Sequence, residues 1–248
     1  MIWFWSTLLV TAIAVLSTAN ESSSGQEKLA VESILFVFAH PDDESMFFGP
    51  TIDYLGNQHS TRVHVLCLSN GNADGLGSVR EKELVVAASK YQIDKTNVHV
   101  VSDPQLQDGM QAKWDPTDVA KHISQIIERY NIKTLITFDN KGISGHPNHI
   151  ACYEGAMKIV KATPQVQVFV LESVNIFRKY ISYLDTIPTL VQSQAGRNDT
   201  IIIHADRKST QRIRDAMVRG HKSQMVWFRY GWIYLSKYMS NNVLKRAT

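Results

Sequence analysis

Two short stretches of the chain gather side chains that can do chemistry. His40-Pro41-Asp42-Asp43-Glu44 brings one imidazole and three carboxyls into a single turn, directly behind the apolar run 34–39. Charges delivered at the end of a buried strand must be paired, hydrogen-bonded or bound to a metal. A divalent ion, zinc foremost, held by His40 and Asp43 meets that demand and leaves Asp42 free for proton transfer. The alternative is a solvated acidic turn that caps the next helix. The second stretch is His146-Pro147-Asn148-His149, again with a proline at a helix start. If the stretches converge, His149 faces His40 and Asp43. Two imidazoles and one carboxylate make a common catalytic zinc set, with the fourth position open to water. Each piece has an ordinary reading: a histidine near a strand end is commonly a core or surface residue, and both prolines suit helix starts. Two such clusters, each directly after an expected strand, argue against coincidence.

The elements that must position them alternate. The continuous apolar run 34–39 reads as a strand covered on both faces, and 63–68, 98–101, 134–138 and 166–171 read as further strands. Helices are expected at 44–55, at 78–90 with a Ser78/Glu81 capping box, from Asp115-Pro116 as N-cap and first turn, and at 147–162. Between them, the loop 71–77 carries three glycines. This βαβ alternation predicts an α/β fold, a Rossmann-like three-layer sandwich with a mainly parallel sheet. In a 3-2-1-4-5 strand order, the first and fourth strands are neighbours, and their C-terminal ends open into one crevice. That order would bring the two clusters together.

The remaining composition bounds the function class. The chain has 248 residues, 44% hydrophobic and 20% charged, with a net charge of +3. This suits one globular domain and gives no electrostatic case for nucleic-acid binding. The only cysteines, Cys67 and Cys152, sit in apolar surroundings and indicate no disulfide framework. Residues 2–19 carry no charged side chain, and about 18 helical residues span about 27 Å, close to the bilayer's hydrocarbon thickness. The expected organisation is a transmembrane anchor over 1–19, a Ser-rich linker over 20–32 and a catalytic domain over 33–248. A cleaved signal peptide ending near Ser17-Thr18-Ala19 is the rival reading. Asn20-Glu21-Ser22 and Asn198-Asp199-Thr200 match the glycan acceptor pattern and give a test of topology.

The paired motifs resemble the LmbE-like zinc de-N-acetylases. The likeness extends through Ser69-Asn70-Gly71-Asn72, Arg80, Glu83 and Ser144-Gly145-His146 to His221-Lys222-Ser223-Gln224 and Trp227-Phe228-Arg229. These later motifs are similar to the eukaryotic branch, the N-acetylglucosaminyl-phosphatidylinositol (GlcNAc-PI) de-N-acetylases. The resemblance implies Zn²⁺, or another divalent metal, on His40, Asp43 and His149. It implies Asp42 as general base and His146 as the group stabilising the transition state. It also implies a phosphate- or inositol-binding role for Arg80 and a sugar-hydroxyl acceptor at Asp108. The ordinary alternatives are an Arg80–Glu83 helix-surface pair and a plain turn at Asp108-Gly109. The implied reaction takes GlcNAc-PI in the membrane to GlcN-PI and acetate, the second step of GPI-anchor synthesis. The implied location is the endoplasmic reticulum membrane, single-pass, with the catalytic domain facing the cytoplasm. Two other readings stay open: a soluble or secreted zinc deacetylase of another amino sugar, and a catalytically silent lipid- or sugar-binding relative.

The C-terminal quarter interleaves basic and aromatic residues, Arg207 to Lys222 and then Trp227 to Tyr238. Such a mixture suits a membrane interface. The plainer expectation is a solvated basic helix followed by a core-packing aromatic one.

Overall fold

A computed structural model describes Leu29, residues 33–185 and residues 200–248. The expected anchor, and all of the expected linker except Leu29, lie outside the described residues. Among the described residues no helix is long and apolar enough to cross a membrane.

A seven-stranded sheet with the order β3-β2-β1-β4-β5-β7-β6 forms the middle layer. The strands are β1 (Ser33–Phe38), β2 (Arg62–Cys67), β3 (Val98–Val100), β4 (Thr134–Phe138), β5 (Gln167–Leu171), β6 (Thr200–His204) and β7 (Asn241–Arg246). The first five are parallel, in the 3-2-1-4-5 order that would bring the two clusters together. All six residues of β1 are buried, as a central strand covered on both faces requires. Helices α1 (Gly49–Gly56), α2 (Gly77–Lys90) and α5 (Arg207–Asp215) pack as one layer. Helices α3 (Pro116–Tyr130) and α4 (Pro147–Ala162) pack as the other. Helix α6 (Trp227–Leu235) lies beyond them, before β7.

Three local expectations are corrected. The helix expected over 44–55 is broken: one turn spans Asp43–Met46, and α1 starts separately at Gly49 with Pro50 in its first turn. Proline lacks the N–H that an uninterrupted helix would need there. The Ser78/Glu81 capping box is absent, because α2 starts at Gly77. Asn72 Oδ1 accepts from the Gly77 N–H at 2.9 Å, and Glu81 Oε1 instead accepts from Asn70 Nδ2 at 3.1 Å. The third correction is an addition: β6 and β7 extend the sheet antiparallel beyond β5. By contrast, Asp115 caps α3 as expected, accepting from the Thr117 N–H at 2.7 Å.

Candidate active site

The adjacency of β1 and β4 sets the two chemical stretches side by side. The β1 turn places Asp43 first. Its Oδ2 accepts the N–H groups of Ala39 and His40 at 3.1 and 2.9 Å, which fixes the carboxylate against the strand end. Its other oxygen, Oδ1, faces His149 Nε2 at 3.3 Å. The orientation of His149 comes from the loop after β4. Gly142 has φ +52, a conformation natural to glycine, and a Cβ there would lie 2.9 Å from the His149 Cβ. The Gly142 carbonyl lies 3.2 Å from His149 Nδ1, so Nδ1 carries the proton and the Nε2 lone pair is left over. Nε2 is buried without a hydrogen-bond partner. The loop is braced from β5: Asp139 Oδ2 accepts the Ser173 N–H at 2.7 Å, and Ser173 Oγ accepts the Ile143 N–H at 2.8 Å.

His40 completes the set. Its Nε2 lies 3.0 Å from Asp108 Oδ1 and 3.1 Å from Asn148 Oδ1, while its Nδ1 is 3.6 Å from Asp43 Oδ2. The first two contacts claim Nε2 as a donor and direct the Nδ1 lone pair at Asp43. Ligand atoms of His40, Asp43 and His149 all lie within 4.8 Å of one another, and all three residues are buried. Burial works against a charge on His40, but its hydrogen bonds to Asp108 and Asp43 push it up to about 10. Burial also opposes ionisation of Asp43, yet His149 and His40 hold its carboxyl well below the usual range. The pocket is thus built for a positive charge, and a cation would take the place of a proton. An orphaned imidazole nitrogen, a carboxylate and a second oriented imidazole fit a divalent ion, with zinc matched to such N/O donors. A competing trio, His40, Asp108 and His146, also lies within 4.8 Å but is less buried. Its His146 Nδ1 accepts the Asn148 N–H at 3.2 Å as the cap of α4, and its Asp108 faces Arg80, which leaves fewer free donors.

Beside the trio sits Asp42, at φ 120, strained for a residue with a side chain. Glu44 holds it there. Glu44 Oε2 accepts the Asp42 N–H at 3.1 Å, and Oε1 meets His221 Nε2 at 2.6 Å and Ser45 Oγ at 2.7 Å. Glu44 and His221 are both fully buried. Burial depresses His221, but the charge and hydrogen bond of Glu44 raise it overall, so the two form an ion pair. Glu44→Ala would remove the acceptor of the buried His221 ring, of Ser45 Oγ and of the Asp42 N–H. We expect a loss of about 1–3 kcal/mol of stability, the usual cost of leaving a buried polar group unpaired, read as a lower Tm. An unchanged Tm would remove Glu44 from this role.

Asp42 Oδ2 accepts from Arg229 Nη1 at 2.5 Å and lies 3.6 Å from Arg80 Nη2. Arg80 is buried rather than paired with Glu83 on the helix surface. It donates to the carbonyls of Gly71 and Pro41 at 2.8 and 2.7 Å and faces Asp108 Oδ2 at 3.5 Å. Gly71 has φ +69, and a Cβ there would overlap the Arg80 guanidinium. Glu83 instead accepts from the Ser223 N–H and Oγ at 2.7 and 2.6 Å. Asp108 is not a plain turn residue: burial opposes its ionisation, but the bond and charge of His40 lower it overall. His146 is stacked near His149 and close to His40, with ring centroids 4.7 and 4.8 Å away. Burial, then the charges of His149 and His40, hold it down at about 4.

Three residues of this site had no role assigned from sequence. They are Arg229 on Asp42, His221 on Glu44, and Asn148, whose fully buried amide touches His40, accepts the Gly109 N–H at 3.2 Å and donates to the Ala112 carbonyl at 3.4 Å.

The chain is similar to known proteins. The family model described as PIG-L, GlcNAc-PI de-N-acetylase, covers residues 35–160, which hold both clusters. A Dictyostelium discoideum relative is 36% identical, over 91% of this chain and 96% of its own length. The chain belongs to the GlcNAc-PI de-N-acetylase family. Another member, from Bos taurus, is 35% identical over 85% of this chain and 81% of its own, and is named N-acetylglucosaminyl-phosphatidylinositol de-N-acetylase. Among solved structures, N,N'-diacetylchitobiose deacetylase from Pyrococcus horikoshii shares the fold. It aligns with a TM-score of 0.61 at 13% identity, covering 87% of this chain and 84% of that one. At that identity the likeness is one of fold alone.

Proposed function

We propose that the chain hydrolyses the acetamide of GlcNAc-PI, giving GlcN-PI and acetate in GPI-anchor synthesis. One observation carries this: in a member of the de-N-acetylase family, His40, Asp43 and His149 converge within 4.8 Å beside a strained Asp42. His40 Nδ1, Asp43 Oδ1 and His149 Nε2 would hold the ion, zinc by its donor set. When bound, that ion would polarise the carbonyl and acidify a water. Asp42 takes a proton from the attacking water as its oxygen bonds to the carbonyl carbon, and delivers it to the sugar nitrogen as the C–N bond breaks. His146 Nδ1 accepts the Asn148 N–H, so the neutral ring carries its own proton on Nε2, beside His40 and His149, and donates that N–H to the oxyanion. Arg80, buried between Asp42 and Asp108, keeps the two carboxylates in register and would lend positive charge to a phosphodiester bound nearby. Asp108 orients His40 and offers its oxygens to a sugar hydroxyl. The test is acetate release from GlcNAc-PI by the metal-loaded chain. Turnover of other N-acetyl sugars, with none of GlcNAc-PI, would overturn this reading.

The same reading places the protein in the endoplasmic reticulum membrane, anchored by 1–19 and with the domain on the cytoplasmic side. The apolar run 2–19 supports it. The expected outcome is that glycosidase treatment of the cellular protein causes no mobility shift, because Asn198-Asp199-Thr200 never meets the lumen. A glycan on Asn198 would reverse the orientation.

A further inference from the structure

Helix α6 is apolar, yet Ile233 is its only buried residue. Trp227 is 85% exposed, and Phe228, Tyr234 and Leu235 are each more than half exposed. A second exposed segment holds Ile176, Phe177 and Leu184, with Phe177 82% exposed. The two segments meet where Tyr180 packs edge-on against Trp232, centroids 5.6 Å apart. An exposed apolar face of this extent marks an interaction surface.

Three observations say what covers it. First, α6 abuts the catalytic centre: Arg229 reaches Asp42 and touches Met46 Sδ, and Trp232 packs on Phe47, which packs on His149. Whatever covers α6 therefore sits at the crevice mouth. Second, a groove of about 900 Å³ adjoins the helix, its lining including Arg207, Arg214, Arg219 and Tyr234 against one acid, Asp215, 3.6 Å from Arg219; the Arg214 guanidinium lies 4.6 Å from the Tyr234 ring centre. Third, the charge is polarised: from Asp206 onward the chain has ten Lys and Arg against two Asp, and although Arg212, Arg229, Lys237 and Lys245 pair with carboxylates from earlier in the chain, the remaining six cations still outnumber those two acids. Aromatic side chains beside a basic groove complement an anionic lipid surface, the rings entering the headgroup boundary and the guanidinium groups meeting phosphates.

We infer that α6 and the segment around Phe177 dock the catalytic domain onto the bilayer, with anionic phospholipid headgroups in the Arg207–Arg214–Arg219 groove. This rests on the proposed lipid-linked substrate. Its geometry then follows: the acetamide lies only a sugar and an inositol phosphate away from the acyl chains, so the crevice mouth must face the membrane. Docking supplies what an N-terminal tether alone does not, the orientation of the crevice.

The test uses the full chain, metal-loaded, with two substrates: GlcNAc-PI in phosphatidylcholine vesicles with or without phosphatidylinositol, and the water-soluble GlcNAc-inositol phosphate without acyl chains. For Phe177→Ser/Trp227→Ser/Phe228→Ser, the vesicle rate should fall roughly tenfold or more, because three inserted rings are lost, while the soluble rate stays within about twofold. Arg214→Gln/Arg219→Gln should abolish the stimulation by phosphatidylinositol. Equal losses on both substrates, or none on either, would overturn the inference. Independently of turnover, brominated lipid should quench a fluorescence component present in the wild type and missing in Trp227→Phe. If wild type turns over neither substrate but the quenching is seen, the substrate assignment fails and the docking face stands. If turnover is seen without quenching, the docking face fails.

Discussion

Replacing Asp42 by Asn is expected to slow acetate release by about 10²–10⁴-fold, the usual worth of a general base, with the fold and metal content unchanged. Asparagine is isosteric with aspartate, so the substitution leaves the backbone strain at φ 120 as it is. The Asp42 N–H keeps its bond to Glu44 Oε2. What is lost is the carboxylate that receives the water proton, together with the ion pair to Arg229. The check is the rate on GlcNAc-PI beside thermal denaturation and metal analysis. A variant that folds, binds metal and retains the wild-type rate would show that Asp42 carries no proton. It would then reopen the silent-relative reading if the wild type were also inactive.

His149→Ala should have the larger effect, because it removes a ligand. The ring supplies the orphaned Nε2 lone pair, held toward Asp43 by the Gly142 carbonyl. Without it two donors remain, too few for a tetrahedral site that keeps one position for water. Expected are loss of bound metal from the purified protein and loss of turnover beyond the roughly 10–100-fold brought by removing a partner of a ligand. Asn148→Ala is the matched comparison. It strips His40 of one contact but leaves all three ligand atoms, and should fall within that 10–100-fold range. Equal effects from the two substitutions would contradict the assignment of ligands.

What could be read from the sequence follows the range of the interactions. The five parallel strands are legible because each is a short apolar run joined by periodic helices; their order is not written in any residue and entered only as one arrangement that such alternation permits. The convergence of His40, Asp43 and His149 is legible once that order is assumed, because His40 and Asp43 share one turn and the order brings His149 to it. Strand β7, Asn241–Arg246, gives no such signal. It contains two asparagines, buried by a specific bond: Asn242 Oδ1 accepts from the Thr51 N–H and Oγ1 at 3.2 and 2.7 Å, and Asn242 Nδ2 donates to the Phe47 carbonyl at 2.8 Å. Only the tertiary partner makes that strand buried. Arg229 and His221 were hidden for the same reason. Their partners, Asp42 and Glu44, lie 187 and 177 positions away, and a basic residue amid aromatics reads as surface until the carboxylate it meets is known. The false capping box shows the converse. A pattern sufficient for a cap lost to a loop in which Asn72 already served the Gly77 N–H.

The central claim is that one cation sits between residues from β1 and from the loop after β4. Anomalous scattering at the zinc edge, from crystals of the zinc-loaded protein, tests it most directly. The account predicts one strong peak about 2.0–2.2 Å from His40 Nδ1, Asp43 Oδ1 and His149 Nε2. A peak held instead by His40, Asp108 and His146, or none within reach of His149, would contradict it.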